Sequence, residues 1–170
     1  MATSLEELLD KQALHELLMR YCRGVDRNDA ELLASVYHSD AYDDHGIYRG
    51  DAHGFVEWVL GRHEGTRSSM HCILNEYFTL DGDVAHGECY FVWCATSPED
   101  AAAPPELTMT GGRYIDRFER RDGEWRIARR QVVLEWGRVF LQTDAPLDAF
   151  VSARRDRSDP SYLELDDARP

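Results

Sequence analysis

The chain has 170 residues, 43% of them hydrophobic and 30% charged, a profile that fits one globular domain burying roughly two-thirds of the surface its unfolded form exposes. Its formal net charge of −13 argues against nucleic acid as a partner, because that affinity comes largely from neutralising phosphates with Lys and Arg. A neutral or cationic small molecule, or another protein, suits it better. No run approaches the roughly 18 apolar residues of a membrane span. The start, MATSLEELLDKQALHELL, carries acids and lacks the apolar region of a signal peptide, so a cytoplasmic protein off the membrane is expected. Cys22, Cys72, Cys89 and Cys94 show no C-x-x-C spacing and read as buried reduced thiols rather than a disulfide or zinc site.

Ser4 and Glu7 form an S-x-x-E capping box, and Leu14, Leu17, Leu18, Tyr21, Cys22 and Val25 then recur at three and four, which predicts a first helix to about Val25. Asn28 with Glu31 is a possible cap for a short second helix carrying Leu32, Leu33, Val36 and Tyr37 on one face. AYDDHGIYRG reads as a strand or irregular strand before Asp51, which caps a third helix with Phe55, Val56, Val59 and Leu60. From Arg67 the character changes. SSMHCILNEYFTL and VAHGECYFVWCAT flank Asp81-Gly82-Asp83, and LTMTGGRYIDRFER and EWRIARRQVVLEW flank Arg121-Asp122-Gly123, so two long hairpins follow one another. Gly87 and Gly111-Gly112 are expected bulges or bends. Helices followed by a coiled antiparallel meander predict an α+β fold in which three N-terminal helices close a cone-shaped curved sheet around an apolar pocket. The domain is expected over 1–143, and a Pro- and Asp-rich segment, 144–170, as an extended polar tail able to lie across a neighbouring subunit.

Asp26 breaks a local rule, because it follows an amphipathic helix directly, where the helix dipole disfavours a carboxylate by about 0.3–1 kcal/mol. It either caps the next helix or has a functional reason to be there. His71 lies within a strand, grouped by alternation with Ile73 and Asn75; it is either a hydrogen-bonded core or rim residue or a base, and a carboxylate on one ring nitrogen would favour the second. Tyr21 can pack in the core or direct its hydroxyl into a cavity. Alternation sends one of Arg129 and Arg130 inward, where it needs a partner or an anionic ligand. His15, His53, His63 and His86 read as solvated. His38 and His45, near Asp40, Asp43 and Asp44, read as an acidic turn rather than a metal cluster.

Tyr21-Cys22-Arg23-Gly24-Val25-Asp26, Ser69-Met70-His71, Gly112 to Phe118 and Asp122 to Ile127 together resemble the SnoaL-like branch of the nuclear transport factor 2-like superfamily, with its cystatin-like α+β barrel, over roughly residues 5 to 140. The nearest pattern is that of the scytalone dehydratase, bile-acid 7α-dehydratase and hexachlorocyclohexane dehydrochlorinase group. The resemblance implies an Asp-His dyad at Asp26 and His71, a pocket tyrosine at Tyr21 and a pocket arginine at Arg130, while Leu134 stands where the bile-acid enzyme carries its own Arg. It implies a cofactor-independent lyase without a metal, acting on a hydrophobic alicyclic, steroid-like or polyketide-like molecule, and a homo-oligomeric trimer or dimer. The alternatives it leaves are a ketosteroid-isomerase-like proton shuttle and a non-catalytic binding or accessory subunit.

Overall fold

The computed structural model describes residues 4–98, 100, 102–141 and 150–162. Helix α1, Leu5–Asp26, starts where the Ser4 hydroxyl accepts the Glu7 N–H, and it buries the apolar stripe from Leu14 to Val25. Asn28 then takes a left-handed φ of 55°, so the cap of α2, Ala30–Ser35, falls one residue later, on Asp29, whose carboxylate accepts the Leu32 N–H. The two helices cross at Gly24, where a Cβ would lie 2.9 Å from the Leu33 backbone. Helix α3, Ala52–Arg62, is capped by Asp51 and buries Phe55, Val56 and Val59.

Six strands form one curled, unclosed sheet: β1 (Tyr37–Asp44), β2 (Arg49–Asp51), β3 (Ser68–Asp81), β4 (Val84–Thr96), β5 (Glu106–Arg121) and β6 (Glu124–Leu141), in the order β2-β1-β6-β5-β4-β3. The expected hairpins are β3–β4 and β5–β6, the second turning through positive φ at both Asp122 and Gly123, the pattern of a type I′ turn. The sheet is mixed rather than purely antiparallel, because β1 lies parallel to β6. That pairing joins segments more than eighty residues apart, and no local pattern announces it. Glu135 is the extra residue of a bulge opposite Gly111-Gly112, whereas Gly87 stays in regular register, its missing Cβ leaving room for Phe78 and Phe118. A second bulge between Ile73 and Glu76 shifts the phase of β3. Ser69 and His71 therefore share the inner face with Ile73, while Asn75 is exposed and Glu76 turns in instead.

Residues 150–162 lie against the helices of the same chain: the Arg155 guanidinium donates to the carbonyls of Val25, Asp26 and His63, and the Tyr162 hydroxyl donates to Asp29. The remainder of the expected tail, 144–149 and 163–170, falls outside the described residues.

Trp125 and Ile127 are buried, and a bulge at Ala128, where the register with β5 slips between Arg117 and Phe118, then breaks the alternation, so Arg130 turns inward and Arg129 is left exposed beside Tyr42. Arg130 is wholly buried, donating through Nε and Nη2 to both oxygens of Asp116 at 2.8 and 2.7 Å. Removing one member of such a pair strands a buried charge and costs about 3–5 kcal/mol, whereas replacing both by apolar side chains is often far milder. Asp116→Ala should therefore lose about 3–5 kcal/mol in urea unfolding, and the double variant Arg130→Met/Asp116→Leu should be more stable than either single replacement.

Candidate active site

The C-terminus of α1 and the start of β3 meet at Asp26 and His71. The His71 Nδ1 donates to Asp26 Oδ1 at 2.7 Å, the His71 backbone N–H donates to Oδ2 at 2.8 Å, and the Ser69 hydroxyl donates to Oδ1 at 2.7 Å. Ser69 in turn accepts the Trp93 indole N–H at 3.0 Å. Burial alone would raise the Asp26 pKa, but the His71 hydrogen bond and charge, with the backbone and Ser69 bonds, outweigh it and hold the carboxyl below its ordinary value. The side chains of His71 and Asp26 are 7% and 11% exposed, so the pair is nearly dry. With Nδ1 committed to a carboxylate, the neutral ring carries its lone pair on Nε2.

Tyr21 lies on the buried face of α1, its ring centroid 6.3 Å from that of His71. Its hydroxyl meets His45 Nε2 at 3.2 Å, and burial raises its pKa, which keeps it a donor. His45 is the residue the sequence reading missed. It stands in the turn between β1 and β2, as expected, but its side chain packs inward: it stacks on Phe55 at 4.3 Å and bonds through Nδ1 to Asp43, whose other oxygen accepts the Tyr37 hydroxyl at 2.8 Å. Alternation that buries Ala41 and Asp43 on β1, carried one step past the strand's end at Asp44, was the available signal. His38 turns instead to the Glu119 carbonyl, and among the described residues no group of three or more His, Cys, Asp or Glu side chains is placed to hold a metal ion.

These side chains border a cavity of about 290 Å³ whose wall includes Tyr21, His45, His63 and His71 together with Val25, Trp58, Val59, Phe91, Trp93, Tyr114, Val132 and Leu134. Arg130 is not part of that wall. Its guanidinium lies 4.1 Å from the Tyr21 ring centroid and 4.0 Å from that of Tyr114 and already has its carboxylate, so it supports the wall instead of facing the cavity. His63 corrects the solvated reading in a different way, because it stacks on Trp93 at 5.2 Å and borders the cavity. The thiols of Cys22, Cys72, Cys89 and Cys94 are free; Cys22 and Cys89 are buried and the other two half-buried.

The SnoaL-like domain family matches residues 6–131. No curated protein sequence matches the chain. Among solved structures, the chain is similar to a type-2 hexachlorocyclohexane dehydrochlorinase (TM-score 0.72, 18% identity, 84% of this chain and 97% of that one). It is also similar to a putative scytalone dehydratase of Novosphingobium aromaticivorans (0.69, 17%, 81% and 92%) and to a protein of unknown function from Mycobacterium tuberculosis (0.67, 23%, 79% and 78%). At these identities the likeness is one of fold. No helix among the described residues is long and apolar enough to cross a membrane.

Burial, then the charges of Arg155, His71 and Arg62, bring His63 down from an ordinary 6.5 to about 4. The unfolded chain takes up this proton before the folded one does, so stability falls as pH drops from 6.5 to about 4. Urea midpoints should decline across that interval, and His63→Gln should flatten the decline; an unaltered slope would show that another group causes it.

Proposed function

We propose, from the premise that the chain belongs to the SnoaL-like domain family, that it is a cofactor-independent lyase. In this reading it eliminates water or another β leaving group from a hydrophobic alicyclic, steroid-like or polyketide-like molecule. The observation that carries it is the 2.7 Å bond between Asp26 and His71 at the wall of a largely apolar cavity. His71 Nε2 takes a proton from the carbon next to a carbonyl, and the resulting imidazolium is balanced by Asp26, which is already ionised. The C–H electron pair becomes the new double bond as the bond to the leaving group breaks. Tyr21 donates its hydroxyl hydrogen to the carbonyl or leaving oxygen, where a preorganised donor is worth most in a water-poor site.

A hydrophobic binding site alone has no use for a buried, donor-saturated carboxylate against an imidazole, because dehydrating such a group is costly. That is the reason for preferring catalysis over ligand storage. The apolar lining from Val25, Val59, Phe91 and Val132 suits a ring system, and Thr108 and Thr110, also at the cavity, offer hydroxyls to its substituents.

The assay is turnover of β-hydroxy cyclic ketones followed by product mass. His71→Ala and Asp26→Asn should each lower kcat by about 10²–10⁴, with unchanged circular dichroism, and the product should be lighter by the leaving group. A product of unchanged mass would indicate proton shuttling between carbons, and near-normal turnover in either variant would remove the dyad from the mechanism.

A further inference from the structure

We infer that His45 and Asp43 form a second proton-handling pair for the same cavity, and that Tyr21 links this pair to the leaving oxygen of the substrate. The inference rests on the elimination reading above and goes beyond it: one imidazole takes the proton from carbon, and the other resupplies the proton that departs with oxygen.

Asp43 is 0% exposed, yet both of its oxygens are occupied, one by the Tyr37 hydroxyl and the other by His45 Nδ1. A buried carboxylate is expensive unless paired; Arg130 stands in register with Asp43 across β1 and β6 but spends its hydrogen bonds on Asp116, and the ring hydrogen-bonded to Asp43 is that of His45. That ring is held flat against Phe55 at an interplanar angle of 19°, which fixes the direction of Nε2 toward the Tyr21 hydroxyl, 3.2 Å away. Tyr21 and His71 both border the cavity, so the line His45, Tyr21, cavity, His71 is continuous. Tyr21 alone is a poor acid, because a tyrosinate buried among aromatic rings is costly to make. Backed by a protonated His45, it can give up its hydrogen and receive another in one motion.

The step balances. His71 Nε2 takes the α-proton and the C–H pair becomes the C=C bond. The C–O bond breaks, and the departing oxygen takes the Tyr21 hydrogen while Tyr21 takes the Nε2 hydrogen of the His45 imidazolium. His45 ends neutral with its Nδ1–H still on Asp43, His71 ends charged against Asp26, and exchange of one proton with solvent at each ring resets the site.

A leaving group that departs as a stable anion has little use for this supply, which separates relay from scaffold. The probes are a β-hydroxycyclohexanone and its β-(nitrophenoxy) counterpart, assayed by enone formation in the wild-type chain and in His71→Ala, His45→Gln, Tyr21→Phe and the double variant His45→Gln/Tyr21→Phe. Both single variants should lower the hydroxy-to-nitrophenoxy rate ratio at least about tenfold, in line with the 10²–10⁴ typical of general-acid catalysis, and the double variant should lower it no further than the worse single. Equal loss on both probes, or multiplicative loss in the double variant, overturns the relay. If His45→Gln fails to fold, Asp43→Asn decides, since it keeps the His45 ring and Tyr21 and removes only the charge behind them: the same ratio should fall, and an unchanged ratio overturns the relay. Absence of turnover in the wild-type chain, or turnover indifferent to His71→Ala, overturns the elimination reading itself and the relay with it.

Discussion

The ion pair between Arg130 and Asp116 is the constraint around which the rest is arranged. The two residues face one another across β5 and β6, and both are buried. Withdrawing a guanidinium and a carboxylate from water costs several kcal/mol for each ion, and only close geometry with further partners offsets it. Two parallel hydrogen bonds supply the first condition. The second is met only in part: Nη1 is buried without a hydrogen-bond acceptor, and the ring faces of Tyr21 and Tyr114 about 4 Å from the guanidinium carbon stand in for one, an arrangement worth more as water is removed. Tyr114 also stacks on Phe91 at 4.3 Å, and Tyr21 meets Tyr114 edge to face at 5.5 Å. The pair therefore fixes the aromatic wall and, with it, the position of the Tyr21 hydroxyl. Being neutral as a unit, it leaves the charge at the cavity to Asp26 and Asp43.

Asp26 presents the opposite problem, an anion at the negative end of a helix. Its side chain is relieved by the three donors from Ser69 and His71. The helix end is relieved separately: Arg155 covers the carbonyls of Val25 and Asp26 and reaches on to His63. One cation from a segment far along the chain thus offsets the dipole that would repel the carboxylate, ties the ends of α1 and α3 together, and helps keep His63 neutral. The stability of the dyad and the docking of residues 150–162 are coupled through it.

What was legible in the sequence follows the range of the interaction that determines it. The cap at Ser4, the cap at Asp51 and the two hairpin turns are decided within a few residues, and each appears where its local chemistry places it, although Glu7, the expected reciprocal partner of Ser4, bonds Lys11 instead. Alternation required one of Arg129 and Arg130 to face inward but could not say which, because the bulge at Ala128 decides it, nor could it name Asp116 across the hairpin, so a candidate for the pocket wall proved to be its support. The parallel β1–β6 contact and the bulge that exposes Asn75 are products of the assembled sheet, which no window of sequence contains. Asp26 was visible as a violation of the dipole rule and His71 through family resemblance. His45 was hidden by its acidic neighbours, Asp43 and Asp44, since a run of such residues ordinarily marks a solvated turn, and here one of them is fully buried.

That burial bears on what the cavity is for. A site selected only to hold an apolar molecule gains by lining itself with residues such as Val59 and Phe91, and each ionisable group placed beside it adds dehydration cost without adding contact. This chain instead brings two imidazoles, each with its own buried carboxylate, to one small space, and sets a tyrosine hydroxyl between them. The carboxylates are held by donors from outside the cavity, Ser69 and a backbone N–H for one and Tyr37 for the other, which leaves the far nitrogen of each ring directed inward. Such an arrangement is poorly suited to attracting an anion, and its cost is hard to justify for passive binding. It suits a reaction in which a proton must be taken from one atom of a ligand and another delivered to a second atom nearby, with water kept from both.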